Sequence, residues 1–147
     1  QGEALYAGFY VLELLSRLLR ERQQEPQVFQ SAMRVLEALE EDDPLQPALR
    51  RFELELLDQL GYGIDFSVAG ERLRDTAFYW FEPQVGFHLV NRDTGPVRSV
   101  SGRVLQAIAR RDFADPAALD AAKLLMRSAI EPLLGDKPLT SRKMFQR

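Results

Sequence analysis

Apolar positions recur at helical spacing through most of this 147-residue chain, with one interruption. From Ala4 to about Arg22, Leu5, Phe9, Leu12, Leu15 and Leu19 mark one face. Tyr6, Tyr10, Leu14 and Leu18 widen it, which predicts a central helix buried on more than one side. Pro26 suits the first turn of a second helix, whose face is Phe29, Ala32, Met33, Leu36 and Leu39. The acidic run Glu40 to Asp43 opposes a helix C-terminus electrostatically, so a loop is expected before Pro44. Pro47 opens a third helix with Leu49, Phe52, Leu56 and Leu60 on one face, and Gly61 stands where a left-handed C-cap belongs.

Between about 62 and 100 the period changes to two. Tyr62, Ile64, Phe66 and Val68 alternate, as do Phe78 with Trp80 and Tyr79 with Phe81; Val85, Phe87 and Leu89 follow. Pro83, Gly86 and the stretch Asn91 to Pro96 supply turns. Helical spacing resumes at Ser101 through Val104, Leu105, Ile108 and Ala109. Asp115 and Pro116 form a helix start for Leu119, Ala122, Met126, Ala129 and Leu133, ended by Gly135. Lys137 to Leu139 reads as a turn, and Ser141 as the cap of a short terminal helix. The pattern predicts one mainly α, helical-bundle-like domain over 1–147 with a small antiparallel β insertion.

Composition narrows the chemistry. With 46% hydrophobic residues the chain can bury a core. It has no cysteine and one histidine, His88, so disulfides, thiolate nucleophiles and Cys/His zinc sites are excluded, and no cofactor is expected. No apolar run approaches the roughly 20 residues of a membrane span, so no membrane partner is expected, and nothing in the composition speaks against a cytoplasmic, nucleoid-associated home. The net charge of −3 is uneven: −5 over 1–47, −2 over 48–100 and +4 over 101–147. An acidic beginning and a basic end are implied.

An enzyme reading finds little to stand on. His88 lies in an aromatic strand, Ser99 and Ser101 resemble helix caps, and no phosphate loop or dinucleotide glycine pattern occurs. The run Phe78, Tyr79, Trp80, Phe81 has two readings. It is either a small sheet anchored to helices, the favoured one, or a stacking surface for bases with Tyr79 or Trp80 outward. The cations Arg110, Arg111, Lys123, Arg127, Lys137, Arg142, Lys143 and Arg147 are the better nucleic-acid candidates, because phosphate binding needs clustered charge rather than a fixed motif. A solvated basic surface explains them about as well.

The most informative stretch is Leu49 to Gly63, LRRFELELLDQLGYG. Arg50, Leu54 and Leu57 line one flank of this helix, so a permanent cation is expected beside exposed or half-exposed leucines. That pairing suits a ligand both apolar and anionic. The plainer alternative pairs Arg50 with Glu53 or Glu13.

Four blocks, LYAGFYVLELLSRLL, LRRFELELLDQLGYG, SGRVLQAIARRDF and LLGDKPLTSRKMF, are similar in order and spacing to the C-terminal region of RecO, the bacterial DNA repair and recombination mediator. The resemblance covers nearly the whole chain and is most specific in the second and fourth blocks. It implies a non-catalytic helical domain that follows an N-terminal OB-fold, which this chain does not contain. It also implies binding to single- and double-stranded DNA, strand annealing, work with RecR to load RecA, and docking on the acidic, apolar C-terminal tail of single-stranded DNA-binding protein. On that reading Arg50 meets the tail's terminal carboxylate, Leu54 and Leu57 its apolar end, and Arg51 its acidic residues. The alternative is a structural platform for RecR or the OB-fold without direct DNA contact. Two departures stand out. Some RecO proteins carry a four-cysteine zinc module in the region matching 64–100, and this chain has no cysteine, so a zinc-free, zinc-ribbon-like insertion held by aromatic packing is expected. The glycine pair often found before the KPL turn is Gly135–Asp136 here, which sets a negative charge beside Lys137.

Overall fold

A computed structural model describes residues 2–19, 26–41 and 44–145. The chain is mainly α with a small antiparallel β insertion, as the pattern predicts. Its elements run α1 (Gly2–Leu18), α2 (Pro26–Glu41), α3 (Leu45–Leu60), β1 (Ser67–Val68), β2 (Glu71–Arg72), β3 (Phe78–Glu82), β4 (Gly86–Leu89), β5 (Val100–Ser101), α4 (Gly102–Ala109), α5 (Pro116–Ile130), a 3-10 turn at Glu131–Leu134, and α6 (Thr140–Phe145). They divide into two compact units, one of residues 1–63 with 130–147 and one of residues 64–129.

In the first unit, α1, α2, α3 and α6 pack on one another. Helix α3 begins at Leu45, so Pro47 falls inside its first turn rather than at its start. Its end is the expected one. Gly61 takes φ 84°, its N–H donates to the carbonyl of Asp58, and the N–H of Tyr62 donates to that of Leu57 at 2.9 Å. Helix α1 departs from the expected face. It buries Ala7, Tyr10, Val11 and Leu14, while Leu5, Phe9 and Leu12 are 56%, 45% and 56% exposed. A helix apolar nearly all round has no periodicity to choose a side. On the buried face the Tyr10 hydroxyl donates to the Glu53 carboxylate of α3. Helix α2 likewise buries Ser31, Ala32, Val35 and Ala38 and leaves Phe29 and Met33 outward.

The C-terminal block is held by α1. Arg17 donates to the carbonyls of Leu134 (2.8 Å), Lys137 (2.7 Å) and Pro138 (3.3 Å). The Glu13 carboxylate accepts from the backbone N–H groups of Thr140 (2.7 Å) and Ser141 (2.9 Å), capping α6 from 127 residues away. Ser141 therefore does not serve as the expected cap; its Oγ is buried.

In the second unit, β1 pairs with β2, and β4, β3 and β5 form an antiparallel sheet in that order. The register sets Trp80 opposite His88 and Phe81 opposite Phe87. Residues 62–66 form no strand, and Tyr62 is exposed, because the chain leaves the α3 cap before pairing begins at Ser67. Phe87 is the aromatic centre, with Phe81 at 5.2 Å and Phe66 at 5.6 Å between ring centroids. Ser101 caps α4 by accepting from the Val104 N–H, and the Asp115 carboxylate accepts from the Ala117 N–H at the start of α5. Helix α5 buries Ala118, Ala122, Leu125, Met126 and Ala129. No described helix is long and apolar enough to cross a membrane.

Candidate nucleic-acid and peptide interfaces

Helix α3 carries the candidate peptide site, and its geometry follows from deep burial. Leu49, Arg50, Phe52, Glu53, Leu54, Leu56 and Leu57 are all buried, so only a narrow strip meets solvent. Arg50 is 6% exposed, and its Nε lies 3.0 Å from Oε1 of Glu53. The two atoms face each other as an ion pair without hydrogen-bond alignment. The other carboxylate oxygen of Glu53 accepts from Tyr10. Burial pushes the Glu53 carboxyl up, while the Arg50 charge and the Tyr10 hydroxyl act against that rise. Burial, together with the neighbouring Glu53, raises the Tyr10 phenol well above its ordinary range. The plainer alternative, Arg50 with Glu53, is thus the arrangement present.

Leu54 and Leu57, expected at the edge of an apolar groove, are 2% and 0% exposed. They are core residues because the flank they share with Arg50 is packed over. Arg51 is exposed on the outer side of the helix.

The candidate DNA cations divide between the units. In the second unit, Arg110 is exposed just beyond α4. Arg111 is half-buried, takes φ 59°, and its Nη1 donates to the Ala109 carbonyl at 2.9 Å. Lys123 and Arg127 are both exposed one turn apart on α5. In the first unit, Lys137 is exposed in the turn that Arg17 holds. Arg142 is half-buried and pairs with Glu131 at 2.9 Å. The side chain of Lys143 and all of Arg147 lie outside the described residues.

The aromatic run forms the small sheet, the favoured reading. Tyr79 is 3% exposed and points inward, its hydroxyl accepting from the Arg74 N–H. Trp80 is half-buried and stacks on His88 at 4.4 Å with planes 22° apart. His88 in turn pairs with Glu82 at 2.9 Å. The outward ring is Phe78, 52% exposed, beside a cavity that Arg74 also lines. Neither Arg74 nor the cavity has a local sequence signature. Alternation does, however, place Phe78 and Trp80 on the face opposite Tyr79. Among the described residues no group of three His, Asp or Glu side chains could hold a metal ion.

Comparison with known proteins matches residues 1–143 to the family described as Recombination protein O C terminal. A DNA repair protein RecO of Erwinia tasmaniensis is 42% identical over 99% of this chain and 60% of its own length. RecO of Actinobacillus succinogenes is 40% identical over 99% of this chain and 62% of its own. RecO of Stutzerimonas stutzeri is 42% identical over 98% and 61%. The chain thus spans about three fifths of the length of these curated relatives. With a family match over nearly its whole length and relatives at this identity, the chain belongs to the RecO C-terminal family.

Proposed function

We propose that this chain is a non-catalytic DNA-contact module of a DNA repair and recombination mediator, holding phosphates on the exposed cations of its second unit. The observation that carries the reading is Lys123 and Arg127, exposed one turn apart on a helix whose opposite side is buried. Such a helix presents two fixed positive charges at a spacing that packing sets, which is what sequence-independent phosphate contact requires. Arg110 and Arg111, at the end of α4 in the same unit, add charge. Fluorescence anisotropy with labelled single- and double-stranded oligonucleotides tests it. Lys123→Gln with Arg127→Gln is expected to weaken both kinds of DNA together, since phosphate contacts carry no sequence or pairing information. Unchanged affinity for both would remove α5 from the interface.

The second reading is docking of the acidic C-terminal tail of single-stranded DNA-binding protein on α3. It is favoured by one detail: the atom of Arg50 that faces Glu53 at 3.0 Å is its Nε, while a guanidinium can also grip a carboxylate in bidentate fashion through its Nη atoms. Arg51 stands on the outer side of the same helix. Titration of a tail peptide, read by chemical shifts along α3, tests this reading; shifts confined to other elements would move the site. Work with RecR and loading of RecA rest on family membership alone. Negative DNA and tail titrations with a positive RecR pull-down would select the platform role instead.

A further inference from the structure

We propose, resting on the DNA-contact reading above, that one end of the β4–β3–β5 sheet binds a single unpaired base of DNA together with its phosphate. The site is an open cavity of about 470 Å³, within the roughly 300–1,000 Å³ usual for small-ligand sites. Phe78, Leu89 and Val90 give it an apolar wall, Thr76 and Ser99 supply hydroxyls, and Arg74 is its one charged lining residue. An exposed ring beside a lone guanidinium fits a base and a phosphate, the repeating pair of a single strand. A base inside a duplex keeps its faces covered by its neighbours and cannot reach the ring.

The wall is built rather than incidental. The Arg74 N–H donates to the Tyr79 hydroxyl at 2.9 Å, and the Ala77 N–H donates back to the Arg74 carbonyl. The Gly102 N–H donates to the Ala77 carbonyl at 2.9 Å and the Arg103 N–H to that of Asp75 at 3.2 Å. A Cβ at Gly102 would fall 1.9 Å from the Arg74 carbonyl oxygen, so only glycine lets the start of α4 close against this turn. The backbone that carries Arg74 is thereby fixed before any ligand arrives, which lowers the ordering cost of binding. On the same sheet face Trp80 is covered by His88, which leaves Phe78 as the open ring.

Three probes test this on the whole chain: a fluorescein-labelled dT12, an abasic strand with the same phosphates, and an acidic peptide ending in phenylalanine with a free carboxylate. Phe78→Ala removes a half-exposed ring and leaves the fold intact. It is expected to weaken dT12 binding about ten-fold, within the range for loss of one stacked base, and to leave the abasic strand unchanged. Phe78→Tyr should retain dT12 affinity. Arg74→Gln should lower the salt slope by about 0.7, one phosphate on a single strand. Trp80, the only tryptophan, lies two residues along β3 from Phe78 on the same sheet face, so its fluorescence is expected to change with dT12 and not with the peptide. Equal binding of dT12 by wild type and Phe78→Ala overturns the proposal while leaving the α5 contact standing. A response of Trp80 to the peptide alone overturns it in favour of a peptide site. A wild-type chain that binds neither strand removes this site and the α5 contact together.

Discussion

Glu53 and Arg50, one turn apart on α3, form an ion pair of 3.0 Å with side-chain exposures of 2% and 7%. An arginine in that position is part of the core whatever else it does. Removing it leaves a buried carboxylate that keeps the Tyr10 hydrogen bond and the weaker field of Arg142 but loses its ion-pair partner, a change that costs about 3–5 kcal/mol in comparable pairs. Arg50→Ala is therefore expected to lower urea stability by that order. The double change Arg50→Met with Glu53→Leu should recover most of the loss, because no buried charge remains. An Arg50→Ala chain as stable as wild type would contradict the ion-pair assignment. The double variant is also the proper control for tail-peptide binding, since it removes the guanidinium without exposing the core to an unpaired charge.

Tyr10→Phe deletes the hydroxyl that donates to Glu53. A loss of about 1–3 kcal/mol is expected for a buried acceptor left without its donor. The loss should depend on pH. Burial raises the folded-state Glu53 carboxyl above its unfolded value, so the group favours the folded state below the ordinary glutamate range and this advantage fades as pH rises through the raised value. The Tyr10 hydroxyl offsets that penalty by favouring the ionised form. The Tyr10→Phe deficit is thus small in acid and grows toward neutral pH. Denaturation at a series of pH values checks this; a deficit constant from acid to neutral would contradict it.

Glu13 carries the opposite sign. Its partial burial acts to raise the carboxyl, but hydrogen bonds from the backbone N–H groups of Ser141 and Thr140 outweigh this and hold it below the ordinary range. Its contribution is present above the unfolded value of about 4.3 and is lost as pH falls through the lowered one. Glu13→Ala should cost about 0.5–2 kcal/mol, the range for loss of a helix N-cap. It should also speed hydrogen exchange at Thr140 and Ser141 before any effect on α3. Unaltered exchange at those two amides would contradict the capping role.

Much of this architecture can be read along the chain. Gly61 and the Asp115–Pro116 start rest on contacts within a few residues and appear as read; the strand period from Phe78 to Leu89 appears too, except that Val85 falls in the turn and Gly86 opens β4. What cannot be read locally depends on distant partners. Tyr10 meets Glu53 across 43 positions, and the face of α1 that carries it, with Ala7, Val11 and Leu14, is the buried one. The Leu54 and Leu57 flank looks like a surface stripe only because the helices that cover it are invisible to a periodicity argument. The Arg74 cavity exists because Gly102 admits a backbone approach from 28 residues away, and nothing around Arg74 announces it. The exposed cations are a middle case: Lys123 and Arg127 share a helix side by spacing, but their exposure depends on which side of α5 the core takes.

The salt dependence of DNA binding tests the central claim most directly. Neutralising Lys123 and Arg127 together should reduce the slope of log affinity against log salt on a single strand by about 1.4, two phosphate contacts at roughly 0.7 each. An unchanged slope with unchanged affinity would contradict the assignment of α5 as the phosphate-contacting face.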